Sequence, residues 1–492
     1  MEASTARRRS AIAIGACLFV AYGYFYQGGG WNQNSRFALV RAIVEQQTLR
    51  VDDTAYFDGR RITGDLANYE GHLYSDKAPG VALAAVPVVA AARTFVEHPA
   101  SREGIAILSY IATVLTAALP SILTALLVFY LAGAFGASHG AAVAGALVFG
   151  LGSPAWAYAT LFYGHALATA CLVAAFSAAV ALRRFSSRAR DRLIATIVGA
   201  GGGWATVTEY TAVVPAAIIA LLAFVCARSE EPGRRRRVIA DLVVAALACG
   251  AVLALFNVVS FGGPFNLGYS YAVGFQEVTQ GSFAFGAPAR GVMWALLFGQ
   301  YRGLFVLAPV LAVAPLGFVL LARDPSTRAP AITALAITVY YLLLNASFHY
   351  WHGGWSFGPR YMAPILPFMS IGVAIAWSRA APAVRVGLCA LALYGVAVTL
   401  VAVATTAQPR DDIERPVAEL LWPNFAAGRL AINWQSFVED RPAGERDRSA
   451  HAWNLGEKLG LTGLTSLVPL IAMWSVVAGL YAWRNGREEP SG

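Results

Sequence analysis

Apolar runs near the length of a bilayer crossing recur along almost the whole chain, and the connectors between them are mostly short. In lipid a backbone must satisfy its own N–H and C=O groups, which leaves helices or a closed barrel. Unbroken runs, rather than alternating ones, select helices, each needing roughly 20 residues to cross. Spans are read near 11–28, 80–97, 105–120, 121–136, 140–156, 164–183, 193–208, 211–227, 237–258, 303–322, 329–347, 361–378, 385–405 and 463–483. That makes about 14 transmembrane helices in one integral membrane domain covering 1–492, with 105–136 divided only at "ALPSI". Mean hydropathy of +0.56 agrees. So does a charged fraction of 13%, against about 25% in water-soluble domains.

The formal charge of +9 invites a nucleic-acid reading, but its distribution argues against one. The arginines sit in "ARRR", "RRFSSRAR", "GRRRR" and "WRNGR", between or beside apolar spans. This is the positive-inside pattern, which orients helices and needs no polyanionic partner. It places both termini in the cytoplasm of a bacterial cell, in a multi-pass inner-membrane protein. The first span has no A-x-A-like cleavage site after it and is read as a retained helix rather than a signal peptide.

The opposite, external side then receives 29–79, 157–163, the turn at Glu209, 259–302, 348–360 and 406–462. Two short stretches are expected to lie along the interface. One is 35–46, starting at a Ser35 N-cap with Phe37, Val40 and Val44 on one face; the other is 288–300. Five cysteines (Cys17, Cys171, Cys226, Cys249, Cys389) fall inside apolar spans without C-x-x-C or metal-ligand spacing, so neither disulfides nor a metal is indicated. His349 and His352 have an i, i+3 spacing, but no carboxylate nearby completes a metal site. No cofactor is implied.

Chemistry concentrates on the external side. "NYEGHLYSDKAPG" (68–80) puts Asp76 and Lys77, one of only two lysines (the other is Lys458), at a loop–helix junction. Ionisable groups near a membrane are costly and so point to function, although Asp76 could merely cap the helix and Lys77 snorkel. "FHYWHGGWSFGPRYMAP" (348–364) brings His349, His352, Trp355, Arg360 and Tyr361 to a membrane re-entry. An arginine there can fork onto a phosphate, while aromatics stack on a sugar ring. An aromatic belt with a snorkelling arginine is the plainer alternative, but it leaves "HGG" and "GPR" unexplained. His165, Glu209 and Arg302 are lone polar residues at other external helix ends.

A first span, a long external loop with a horizontal helix, an acidic–Lys–x–Pro junction and a "GPRY" re-entry resemble the GT-C-fold glycosyltransferases. The plan is close to that of the protein O-mannosyltransferases and the lipid A aminoarabinose transferase. The resemblance implies a GT-C-like bundle that takes a sugar from a polyprenyl-phosphate carrier. It would transfer that sugar at the outer face of the membrane to a glycan, lipid or protein acceptor, with membrane lipid as a further partner. Those enzymes carry a carboxylate just after the first span, followed by an arginine. Here Arg36 is present, but Asn32 or Asn34 stands at the acidic place. The base is therefore sought among Asp76, Asp53 and Glu209, with Asp52 and Asp65 as further alternatives. Asp76, beside Lys77, is expected to have a lowered pKa. Lys77, Arg36, Arg360, Tyr361, His165, His349, His352, Trp355 and Arg302 are the substrate-binding candidates. A transporter or flippase for a lipid-linked glycan would instead show charges midway along helices and related halves. A non-catalytic envelope-assembly protein would leave the external clusters without a purpose.

Overall fold

The computed structural model describes residues 2–183, 187–227, 233–274, 285–438 and 451–486. Parts of the expected 259–302 and 406–462 loops, and of the basic connectors, lie outside the described residues. The protein is an all-α polytopic membrane bundle. Among the described residues, seven helices are long and apolar enough to cross a membrane.

The first helix, α1 (Glu2–Gly23), pairs antiparallel with the last, Val468–Gly486. Arg9 donates to the carbonyl of Arg484 at 2.9 Å, Ser10 meets Tyr481 at 3.0 Å, and Trp474 donates to the Cys17 carbonyl at 3.1 Å. The start of the first helix and the end of the last therefore lie at one end of the bundle. Arg234 lies at that end too, forked onto Asp191 at 2.7 and 2.9 Å.

Three of the expected spans are corrected. Arg102–Ala134 is one continuous helix of 33 residues, not two. Pro120 cannot donate to a carbonyl four residues back, and its ring would crowd that position. The chain accommodates it with a wide π-turn at Val114–Ala118 and continues. The segment at 80–97 does not cross. Its helix, α3 (Gly80–Arg93), starts against Thr208. The chain then returns at the same end, where Arg102 pairs with Asp58 at 3.5 Å and Tyr110 donates to Gly23, the last residue of α1. Because one correction removes a crossing and the other also removes one, the parity that keeps the termini together is unchanged. The count of 14 is not reproduced.

The end opposite the termini carries the polar elements. Helix α2 (Trp31–Gln46) starts four residues earlier than expected, after Gly30. Ser35 is thus inside the helix, bonded to the Ser75 hydroxyl at 2.7 Å, and caps nothing. Phe37, Leu39 and Val40 of α2 join an apolar cluster with Val81, Ala82, Ala85 and Val89 of α3. That packing explains how α3 can be apolar without crossing the bilayer. Arg290–Phe298 forms the other short apolar helix at this end.

Between α2 and α3 the strands Leu66–Tyr69 and His72–Ser75 form a hairpin with Leu66 opposite Ser75. Its two-residue turn, Glu70-Gly71, has both φ angles positive (53° and 83°), as a hairpin turn matching strand twist requires. This register sets Asp65 and Asp76 at the next opposed positions.

Candidate active site

The hairpin brings two carboxylates to one ammonium. Lys77 Nζ lies 3.0 Å from Asp65 Oδ2 and 3.0 Å from Asp76 Oδ2, with the Tyr269 ring 5.5 Å away. Asp76 is sealed: its Oδ1 is buried with no hydrogen-bond partner, and Gly268 packs on its backbone. Asp76 does not cap α3, whose N-cap is Pro79 with no side-chain bond. The expected lowering of its pKa is also overturned. Burial pushes the Asp76 carboxyl up to about 6, Lys77 opposes this, and the neighbouring Asp65 adds to it. Burial alone would lower Lys77, but the carboxylates of Asp65 and Asp76 outweigh it and hold the ammonium above its ordinary value.

A pH prediction follows. An acid whose folded pKa is above its unfolded value favours folding below that unfolded value, and the contribution fades as pH rises through the folded one. Between about pH 4 and about 6, the wild-type Tm should fall by an increment that Asp76→Asn lacks. Parallel Tm–pH curves for the two proteins would contradict this.

A second group forms around Glu209, at the end of Arg188–Thr208. Arg36 donates to Glu209 Oε1 at 3.1 Å, to the Ala78 carbonyl at 2.9 Å and to Asn32 Oδ1 at 3.0 Å. His165 Nδ1 lies 3.6 Å from the same Glu209 oxygen. Arg36 thereby staples α2 to the Asp76–Pro79 junction and to Glu209, and each of its nitrogens is engaged. The Glu209 side chain is 17% exposed, against 1% for Asp76 and 8% for Asp65. It is the most accessible of the three carboxylates. A Cβ on Gly164 would overlap Glu209 Oε1. Gly164→Ala should therefore displace the carboxylate and cut activity severely with a small change in Tm; unchanged activity would show that Glu209 is not held there for use.

The third group is built on the 348–361 re-entry. Arg360 donates to the Tyr361 hydroxyl at 2.8 Å. Its guanidinium lies 4.8 Å from the Tyr361 ring and 5.7 Å from the Tyr163 ring. Tyr361 packs edge-on to His165 at 6.0 Å, which joins this group to Glu209. Arg360 Nε is buried with no hydrogen-bond partner. Of Arg36, Arg302, Lys77 and Arg360, only Arg360 has no carboxylate or carbonyl holding it.

Other sequence candidates fall elsewhere. Asp53 is exposed and accepts only from Gln46 at 3.2 Å, so the structure does not bring it into the cluster. Asp52 is tied to His72 and the Leu73 amide. His352 accepts from the Gly354 amide at 3.1 Å, and burial lowers its pKa. Trp355 donates to Asp411 at 3.1 Å, while His349 stacks edge-on to Tyr350. Arg302 is wholly buried and bonds to the carbonyls of the 352–356 turn. Lys458 lies over Trp453 at 5.2 Å. Among the described residues no cluster of His, Cys, Asp or Glu could hold a metal.

Sequence reading missed a buried amide pair. Gln33 donates to Gln408 at 3.1 Å and accepts from the Phe162 amide, while Gln408 also accepts from the Tyr163 hydroxyl. Neither glutamine carries a sequence signal, because their pairing spans α2 and the loop beyond Thr405. Asn34, by contrast, is accounted for. It donates to the carbonyls of Ile62 and Ser436 and accepts from the Gly30 amide. A carboxylate there would face two carbonyls with no proton to offer.

With this geometry in place, the comparison with solved structures is direct. The fold resembles that of ArnT. Against ArnT from Cupriavidus metallidurans bound to undecaprenyl phosphate, the TM-score is 0.52 at 16% identity, covering 86% of this chain and 68% of the other. The apo state of that protein gives 0.46 at 16% identity, covering 84% and 66%. No protein-family model and no curated protein matches the sequence. The likeness to ArnT establishes the membrane fold, in agreement with the GT-C plan that the sequence motifs resemble.

Proposed function

We propose that the protein is a membrane glycosyltransferase that moves a sugar from a polyprenyl-phosphate carrier to an acceptor. The observation that carries this reading is Arg360. Arg360 is half-buried, and among the described residues no carboxylate bonds it; a cation drawn partly out of water without a counter-charge is costly, and an anionic ligand offsets that cost. The part of the guanidinium left exposed can meet an oxygen of the carrier phosphate, and the planar fork suits a second oxygen. The undecaprenyl phosphate bound by ArnT supports a lipid phosphate as that anion.

In the reaction, an acceptor hydroxyl oxygen attacks the anomeric carbon. The bond from that carbon to the phosphate oxygen breaks, and the polyprenyl phosphate leaves with the electron pair. Glu209 takes the hydroxyl proton as general base, and Arg360 stabilises the charge growing on the phosphate. Asp65 and Asp76 hold Lys77 beside them. Arg36 orients Glu209.

The Arg runs at the terminal end support a site on the outer side of the cytoplasmic membrane. A cysteine placed at Gly59 should react with an impermeant label from outside, and one at Ser187 should not; the reverse pattern would overturn this sidedness. The donor class is tested by extracting lipids that co-purify with the detergent-solubilised protein. Polyprenyl phosphate or its glycoside is expected, and its absence alongside another bound lipid would contradict the donor.

A further inference from the structure

Arg302 is a second guanidinium with no carboxylate among its bonds, but it is fully used. It is 0% exposed. Its Nε donates to the His352 carbonyl at 3.1 Å, one terminal nitrogen to Gly354 at 2.8 Å and the other to Ser356. The Tyr301 ring lies 4.2 Å from the guanidinium. Three carbonyls aim at one point because Gly353 and Gly354 are both left-handed, with φ of 74° and 62°. Glycine adopts that conformation without steric cost. Converging carbonyls repel one another, so the turn needs a cation at its centre. A lysine, with one nitrogen, cannot reach all three in the geometry of a planar fork.

This turn is also the wall of Arg360. A Cβ on Gly353 would lie 2.8 Å from Arg360 Cγ and 3.0 Å from its Cδ and its Nε, the nitrogen that bonds nothing. The Tyr163 hydroxyl shares its one proton between the Trp355 carbonyl and Gln408, each at 3.3 Å, and the Tyr163 ring lies against the Arg360 guanidinium. Gly353 and Tyr163 thus both bear on Arg360, and both are set by the loop that Arg302 closes.

We propose that Arg302 is a positioning residue for Arg360, acting through the 352–356 turn that covers Nε to aim the rest of the guanidinium at the carrier phosphate. The proposal rests on the reading of Arg360 as the phosphate grip. It assigns Arg302 no contact with substrate, unlike the role expected from the sequence.

The test is a double-mutant cycle on binding of undecaprenyl phosphate by the full chain in detergent, with undecaprenol as the uncharged control. Arg360→Lys and Arg302→Lys should each weaken phosphate binding about tenfold. The double variant should be no weaker than Arg360→Lys alone, since residues acting in series do not add. Undecaprenol binding should be unchanged throughout. Gly353→Ala, which keeps Arg302 but crowds the Arg360 stem, should match Arg302→Lys and carries the test if that variant fails to fold. Normal phosphate binding by Arg302→Lys or, failing that, Gly353→Ala, while Arg360→Lys is weakened, would overturn the positioning role alone. So would multiplying effects, or an equal loss of undecaprenol binding. Normal binding by Arg360→Lys would overturn the phosphate grip and this proposal with it.

Discussion

Glu209→Gln is expected to lower sugar transfer by about 100- to 10,000-fold, the usual range for loss of a general base, with the Tm nearly unchanged. The amide is the same size and can still accept the Arg36 bond, now 3.1 Å long, through its remaining carbonyl. What disappears is the ability to take a proton. Asp76→Asn should cost far less, because Asp76 is sealed beneath Lys77 and cannot meet an acceptor hydroxyl. If the order of the two effects were reversed, the base would have to be moved to the Asp65–Asp76 hairpin. The acceptor would then need a route past Gly268.

Arg360→Lys should lower transfer by about 10- to 100-fold, the loss of one charge-assisted hydrogen bond worth roughly 1.5–3 kcal/mol. The ammonium keeps the charge but not the second donor direction. The loss should appear chiefly in KM for the lipid donor if the phosphate is gripped equally in ground and transition states. It should appear in kcat if the grip tightens as charge develops. Equal activity and equal expression would reduce Arg360 to an interfacial anchor.

Much of this was legible in the sequence, for identifiable reasons. The Arg-rich connectors marked one end of the bundle, and the polar and aromatic clusters gathered at the other. Arg36, Lys77, Asp76, His165, Glu209, Arg360 and Tyr361 all occupy that second end. Local windows failed where a distant partner decided the outcome. The run after Pro79 is apolar enough to read as a crossing, and only the packing of α2 against it reveals another use. Pro120 reads as a break, yet a π-turn absorbs it. The pairing of Asp65 with Asp76 was within reach, because Glu70-Gly71 marks a two-residue hairpin turn and fixes the register by counting outward. Asp53 had the right chemistry and the wrong face, which composition cannot distinguish. Arg302 and Arg360 look alike in sequence; only their bonds separate a guanidinium spent on carbonyls from one with a nitrogen to spare.

The most direct measurement is transfer itself. Purified protein in proteoliposomes would be given polyprenyl phosphates bearing radiolabelled hexoses or pentoses, together with an extract of envelope glycans, lipids and proteins. Label is expected to leave at least one of these carriers for an acceptor, free polyprenyl phosphate to appear in equal amount, and Glu209→Gln to cut both by at least about 100-fold. Release of neither product by a folded protein that binds polyprenyl phosphate, or movement of the intact lipid-linked sugar across the bilayer, would contradict it.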